Sequence, residues 1–158
     1  MAGKTIPVAC LFSFQNRYSL NAFSPMAYYF KTLMHNTTHG EALELATEEL
    51  KKEGFGVLTR IDVKETLKQK IDVDFRKYVI LGACNPHFAH QALQIEGKVG
   101  VFLPCNVVVE EHADGSVEVS AVDPVMMMSP AGNPRLEEMA KEVREGISRV
   151  ITALGGLD

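Results

Sequence analysis

The stretch "YVILGACNPHFAHQAL", residues 78–93, changes character at its middle, and that change decides how the chain folds. Its first half, "YVILGA", is a nearly continuous apolar run of strand length, which predicts a strand lying centrally in a sheet with both faces covered. Asn85 followed by Pro86 is an N-cap with a first-turn proline, opening a helix to about Gln94. A strand that runs straight into a helix is therefore one unit of the fold, and its neighbours show how it is repeated.

Upstream, "AYYFKTLM" (27–34) is rich in aromatic and apolar residues and reads as a strand. Thr38 and Glu41 have the spacing of a capping box, Lys51 and Lys52 suit a last turn, and Gly54 marks a stop. A helix over about 39–53 follows, with Leu43, Ala46 and Leu50 on its buried side. In "FGVLTRID" (55–62), Phe55, Val57, Thr59 and Ile61 alternate with Gly56, Leu58, Arg60 and Asp62, as in a half-buried strand. Asp62 then caps a short helix whose apolar side is Val63, Leu67 and Ile71.

Downstream, "VGVFLPCNVVVEE" (99–111) and "SVEVSAV" (116–122) flank "HADG", whose Asp-Gly is a hairpin signal. Asn133 and Pro134 open a long last helix, and Gly155 and Gly156 end it. Leu136, Met139, Ala140, Val143, Ile147, Val150, Ile151 and Leu154 recur on one face of that helix. The order β-α-β-(α)-β-α-β-β-α predicts an α+β domain, a mainly antiparallel sheet with helices packed on it.

The totals fit one domain: 158 residues, 46% apolar and 23% charged. A net charge of -4 and scattered lysines give no basic field for a phosphate backbone, so nucleic acid is set aside as a partner. Three cysteines, an odd number, suit a reducing compartment better than a disulfide framework. The glycosylation pattern Asn36-Thr37-Thr38 is silent outside the secretory pathway. No apolar run approaches the roughly 18 to 20 residues that span a bilayer, and "IPVACLFSF" (6–14) is too short to act as a signal, so no membrane is expected. The cytoplasm is the expected location. Mitochondria are the alternative, because Lys4, Arg17 and Lys31 precede the first acid, Glu41, although Pro7 and Pro25 make a poor targeting helix.

Cys84 stands one residue before the cap of its helix, where unpaired N–H groups and the helix dipole favour an anion. The first reading is a small apolar residue closing a strand; the alternative, which this position makes physically plausible, is a thiol with a lowered pKa and a nucleophilic or redox role. Cys105 falls by alternation on a face with Val101, Leu103, Val107 and Val109, which predicts a buried, inert thiol. A Cys84–Cys105 pair needs α-carbons within about 7 Å, and Cys10 reads as packing. Cys84, His87, His90 and Cys105 offer zinc-type ligands at a spacing that is not a standard zinc pattern, so no metal is expected and this set is the minor alternative. Pro86 removes a donor and no Lys follows the turn, which argues against a phosphate cradle, and no cofactor is expected. Met126, Met127 and Met128 cannot all face one core; some of them line a groove, pocket or subunit contact, or the triplet belongs to a loop tucked under the last helix.

Taken in order, "GFGVLTRIDVKETLKQK", "YVILGACNPHFAHQAL", "GVFLPCNVVV", "AVDP" and the closing helix resemble the domain of unknown function 302 family, from about Tyr28 to Leu154. The resemblance implies a fold similar to the TATA-box-binding-protein-like class, a curved antiparallel sheet with helices on it. It places Asp62, Cys84, Asn85, Pro86 and Cys105 on family motif positions, leaves His87 free to vary, and supplies no catalytic residues. Residues 1–26 lie outside the pattern as an arm, and 27–158 form the domain. Small sheet domains of this kind often form homodimers, with the methionines or the arm as contacts.

Three functions follow as expectations. One is a non-enzymatic domain that binds an unidentified small molecule or protein in a cleft near the GACNP turn, with Asp62, Cys84, Asn85, His87 and Met127 as candidate binding residues. Another is a thiol protein using Cys84 with Cys105 for redox or sulfur transfer. The last is a dimerising subunit of a larger assembly.

Overall fold

The computed structural model describes residues 28–155; residues 1–26, expected to be an arm, with Cys10, and also Gly156, lie outside the described residues. Strands β1 (Tyr29–Met34), β2 (Gly56–Asp62), β3 (Tyr78–Cys84), β4 (Cys105–Glu111) and β5 (Val117–Val122) form one sheet in the order β1-β5-β4-β3-β2. Every neighbouring pair is antiparallel. The helices are α1 (His39–Lys52), α2 (Val63–Ile71), α3 (Pro86–Ile95), α4 (Pro124–Met128) and α5 (Pro134–Gly155). The α+β architecture and its element order are as the sequence predicts, with the short α4 added.

Local signals start each long helix. Thr38 accepts the Glu41 N–H at 3.3 Å while the Glu41 carboxylate accepts the Thr38 N–H at 2.8 Å, a complete capping box. The Asn133 side chain accepts from Arg135 N–H at 3.1 Å and opens α5. α1 and α5 pack together on one face of the sheet, where Ala42, Leu43, Ala46 and Leu50 meet Val143, Ile147, Val150, Ile151 and Leu154. Beneath them lie Met34, Val79, Leu81, Val107, Val109, Val117 and Val119, one side of each strand's alternation. Fully burying each large aliphatic side chain contributes about 1.5–3 kcal/mol, so this single face supplies most of the cohesion. His39 is buried among them, its Nε2 lying 3.1 Å from the Val109 carbonyl and tying the start of α1 to the sheet.

Where β5 ends, Asp123 joins three elements. It is 2% exposed; its Oδ1 accepts the Val125 N–H at 2.9 Å, capping α4, and its Oδ2 lies 3.2 Å from Arg144 Nε on α5. The Arg144 guanidinium in turn lies over the Phe30 ring of β1 at 5.5 Å. This is the chemistry within "AVDP": a carboxylate buried because two partners satisfy it.

Four expectations are corrected. β3 is not the central strand: β4 is, and β3 lies next to the edge strand β2, with Val79, Leu81 and Ala83 in the core but Tyr78 and Ile80 half-exposed. Its apolar run arises because Ile80 faces Val108 and Ile61 across the outer side of the sheet, while Gly82 is covered by Thr59 and Pro104. The alternation in β2 breaks after Val57, where the register shifts, and Thr59 and Ile61, expected on the buried side, are exposed like Leu58, since an edge strand with one partner tolerates a bulge. α2 buries none of its residues, and Ile71 lies in the open, because the helix sits against only β2 and β3 at the sheet margin. Finally, residues 99–102 form a 3-10 turn instead of the start of a strand, so Val101 is exposed; Pro104 lacks the N–H a ladder needs and pairing begins at Cys105.

Candidate functional site

At one end of the sheet Ala83 of β3 stands opposite Cys105 of β4, and the chain leaves β3 at Cys84 to enter α3. The Asn85 side-chain oxygen Oδ1 accepts from the N–H groups of His87 at 3.0 Å and Phe88 at 3.5 Å, so the predicted cap is in place. α3 then packs against α5, and its Ala92 joins a second, smaller core with Val99, Met128, Leu136, Met139 and Ala140.

Between the two cores lies a narrow apolar cavity of about 20 Å³, room for roughly one water-sized group. Its walls are Phe55, Ala83, Phe88, Ala89, Ala92, Leu103 and Val143, together with Cys84, Cys105, Met128 and Met139. Asn85 is the one amide in the wall, and its oxygen is committed to the cap. The lining thus combines hydrocarbon and sulfur, with no carboxylate, imidazole or cation.

Both described cysteines are free thiols. Half-buried at the cavity, the Cys84 thiol is pushed up by desolvation, opposite in direction to the lowering that its place before a helix allows. The helix dipole does not win because Cys84 is still the last residue of β3, and Asn85 takes the first free N–H groups for itself. Cys105 is 4% exposed, and burial followed by the neighbouring Cys84 pushes its thiol up to about 11. A raised pKa leaves less thiolate at neutral pH. In iodoacetamide labelling followed by mass spectrometry, Cys84 is therefore expected to react with a midpoint above the roughly 8.5 of an ordinary thiol, its rate climbing about tenfold per pH unit below that midpoint. Cys105 is expected to stay unlabelled until the protein unfolds. Rapid labelling of Cys84 at pH 7 would contradict this electrostatic picture.

The other candidates are dispersed. His87 and His90 are exposed on α3 and neither lines the cavity, so the zinc-type set does not come together there. Asp62 caps α2, accepting the Glu65 N–H at 3.0 Å, and borders a separate open depression with Arg60, Thr66 and Gln69. The methionine triplet divides as its chemistry requires: Met126 is exposed, Met127 is half-buried against both cores, and Met128 is buried in the cavity wall. Met127, the candidate, is therefore a packing residue beside the cavity. Phe55, Phe88 and Met139 were not among the predicted site residues, and Met128 was singled out only as one of the methionine triplet; Met139 was legible only as core on the apolar face of α5.

Among the described residues, Glu110, His112 and Glu118 place ligand atoms within 4.8 Å of one another on the β4–β5 hairpin. Arg76 pairs with Glu110 at 2.6 Å and Lys31 with Glu118 at 2.7 Å, so these carboxylates are already compensated. No described helix is long and apolar enough to cross a membrane.

None of the curated proteins matches. The chain is similar to an uncharacterised conserved DUF302 protein from Bacillus stearothermophilus, whose crystal structure superposes with a TM-score of 0.73 at 32% identity. The match covers 79% of this chain and 96% of that one. The profile of the domain of unknown function DUF302 matches residues 30–154, from β1 to the last turn of α5, taking in the sheet, the capped α3 turn and every wall of the cavity. By sequence and by fold, this chain belongs to the DUF302 family.

Proposed function

We propose that this protein is a non-enzymatic binding domain whose site is the cavity beside the Gly82–Pro86 turn, and that it takes a single atom or ion, or a group of about that size. The observation that carries this reading is the cavity itself: apolar, lined by residues from both cores, and far below the roughly 300–1,000 Å³ of cofactor-sized pockets. Thiol exchange fits less well, because it is carried by thiolate and desolvation disfavours the thiolate at both cysteines.

Methionine-methyl NMR tests the reading. Dissolved xenon, which enters dry apolar cavities, is expected to shift the ε-methyl signals of Met128 and Met139 saturably and to leave exposed Met126 unmoved. Ala89→Phe, which fills the wall from α3, should abolish those shifts. Xenon without effect on either methyl, or shifts that persist in Ala89→Phe, would overturn the proposal.

A further inference from the structure

Four of the side chains around the cavity carry sulfur, and they come from four separate elements: Cys84 from β3, Cys105 from β4, Met128 from α4 and Met139 from α5. Both described cysteines are used. Resting on the binding reading above, we propose that the cavity is a site for one soft monovalent metal ion, Cu(I), with the sulfurs of Cys105, Met128 and Met139 around it and Cys84 at its edge.

The donor set selects the ion class. Thiolate and thioether sulfur favour Cu(I), whereas magnesium and calcium need several oxygen ligands, and the one side-chain oxygen in this wall, that of Asn85, is committed to the α3 cap. Zinc takes thiolate, imidazole or carboxylate in a closed four-coordinate shell, and two thiols with two thioethers do not provide it. Size agrees, since a cavity of about 20 Å³ admits a single ion and not a multi-atom ligand. Charge agrees as well. With no cation in the wall, the apolar surroundings favour a neutral complex, and one thiolate on Cu(I) is neutral. Loading breaks the Cys105 S–H bond, forms an S–Cu bond and releases one proton to solvent, with no change in oxidation state.

The test is anaerobic titration of the full chain with Cu(I) at pH 7 against bicinchoninate, a chromophoric Cu(I) chelator, with Ag(I) as the surrogate for NMR. One ion per chain is expected to be withheld from the chelator, with a sulfur-only shell in X-ray absorption. The Met128 and Met139 methyls should shift while Met34, in the main core, does not. Apparent affinity should rise about tenfold per pH unit for the one proton released. Cys105→Ala, which removes the thiolate itself, should weaken binding by at least about a hundredfold, the upper end of what loss of an outer-shell partner alone costs. Cys10→Ser should change nothing. Met139→Leu, a volume-conserving change that keeps the fold, should weaken binding less than Cys105→Ala and serves if the latter fails to fold. Complete removal of copper by the chelator, nitrogen or oxygen in the shell, or retention indifferent to both Cys105→Ala and Met139→Leu would overturn the inference. If xenon shifts the cavity methyls but Cu(I) is not held, the metal assignment falls and the binding reading stands; if neither enters, both fall.

Discussion

Gly82→Ala is expected to lower stability by about 2–3 kcal/mol, the upper part of the range for overpacking a filled site. A Cβ at this position would lie 2.2 Å from Thr59 Oγ1 and 2.6 Å from Pro104 Cγ. The constraint is space, because Gly82 is not among the glycines with positive φ. Of the two neighbours, Thr59 stands on the exposed edge strand and can turn away, whereas the Pro104 ring has no rotamer to change. Adding Thr59→Ala should therefore recover part of the loss and not all of it, a coupling that a double-mutant cycle in urea reads directly. A shift below about 0.5 kcal/mol for Gly82→Ala alone, the scatter of an ordinary surface substitution, would mean that β3 and β4 separate freely at this point. The same strands carry Cys84 and Cys105, so the packing over Gly82 is also what holds the ends of the cavity wall in register.

Asp123→Ala should cost about 2–4 kcal/mol. Loss of the α4 cap accounts for about 1 kcal/mol, and the rest comes from the ion pair with Arg144. Arg144 keeps 39% of its side chain in solvent, so its unpaired charge can rehydrate, and the cost stays below that of breaking a fully buried pair. Asp123→Asn keeps an oxygen for the Val125 N–H and should cost about half as much. Equal losses for Ala and Asn would show that Arg144, and not the cap, carries the effect; a loss under about 0.5 kcal/mol for Ala would remove the network from the account altogether. Because α4 bears Met128, Asp123→Ala should also shift the methyl signals of the cavity wall, linking the stability of this corner to the shape of the site.

These two positions differ in how far the sequence announces them. "AVDP" shows an acid ahead of a proline, the form of a helix cap, but nothing in it shows that Arg144 will arrive beside Asp123. Gly82 looks like one more small residue in an apolar strand until Thr59 and Pro104 are brought onto it. The cavity behaves likewise: "GACNP" marks the turn, while its sulfur lining depends on Met128 and Met139 arriving from later helices.

The sequence by itself determined α1, α3, α5 and the β4–β5 hairpin, because Thr38 with Glu41, Asn85 with Pro86, the 3.6-residue period of α5 and Asp114-Gly115 act within a turn or two of backbone. Strand order, the exposure of Ile71 and the bulge at Leu58 were decided only in three dimensions, since whether an apolar residue is buried depends on which element comes to cover it. The state of Cys84 belongs with them. Its place before a helix favours the thiolate, but desolvation by the surrounding residues favours the thiol, and in this fold desolvation prevails.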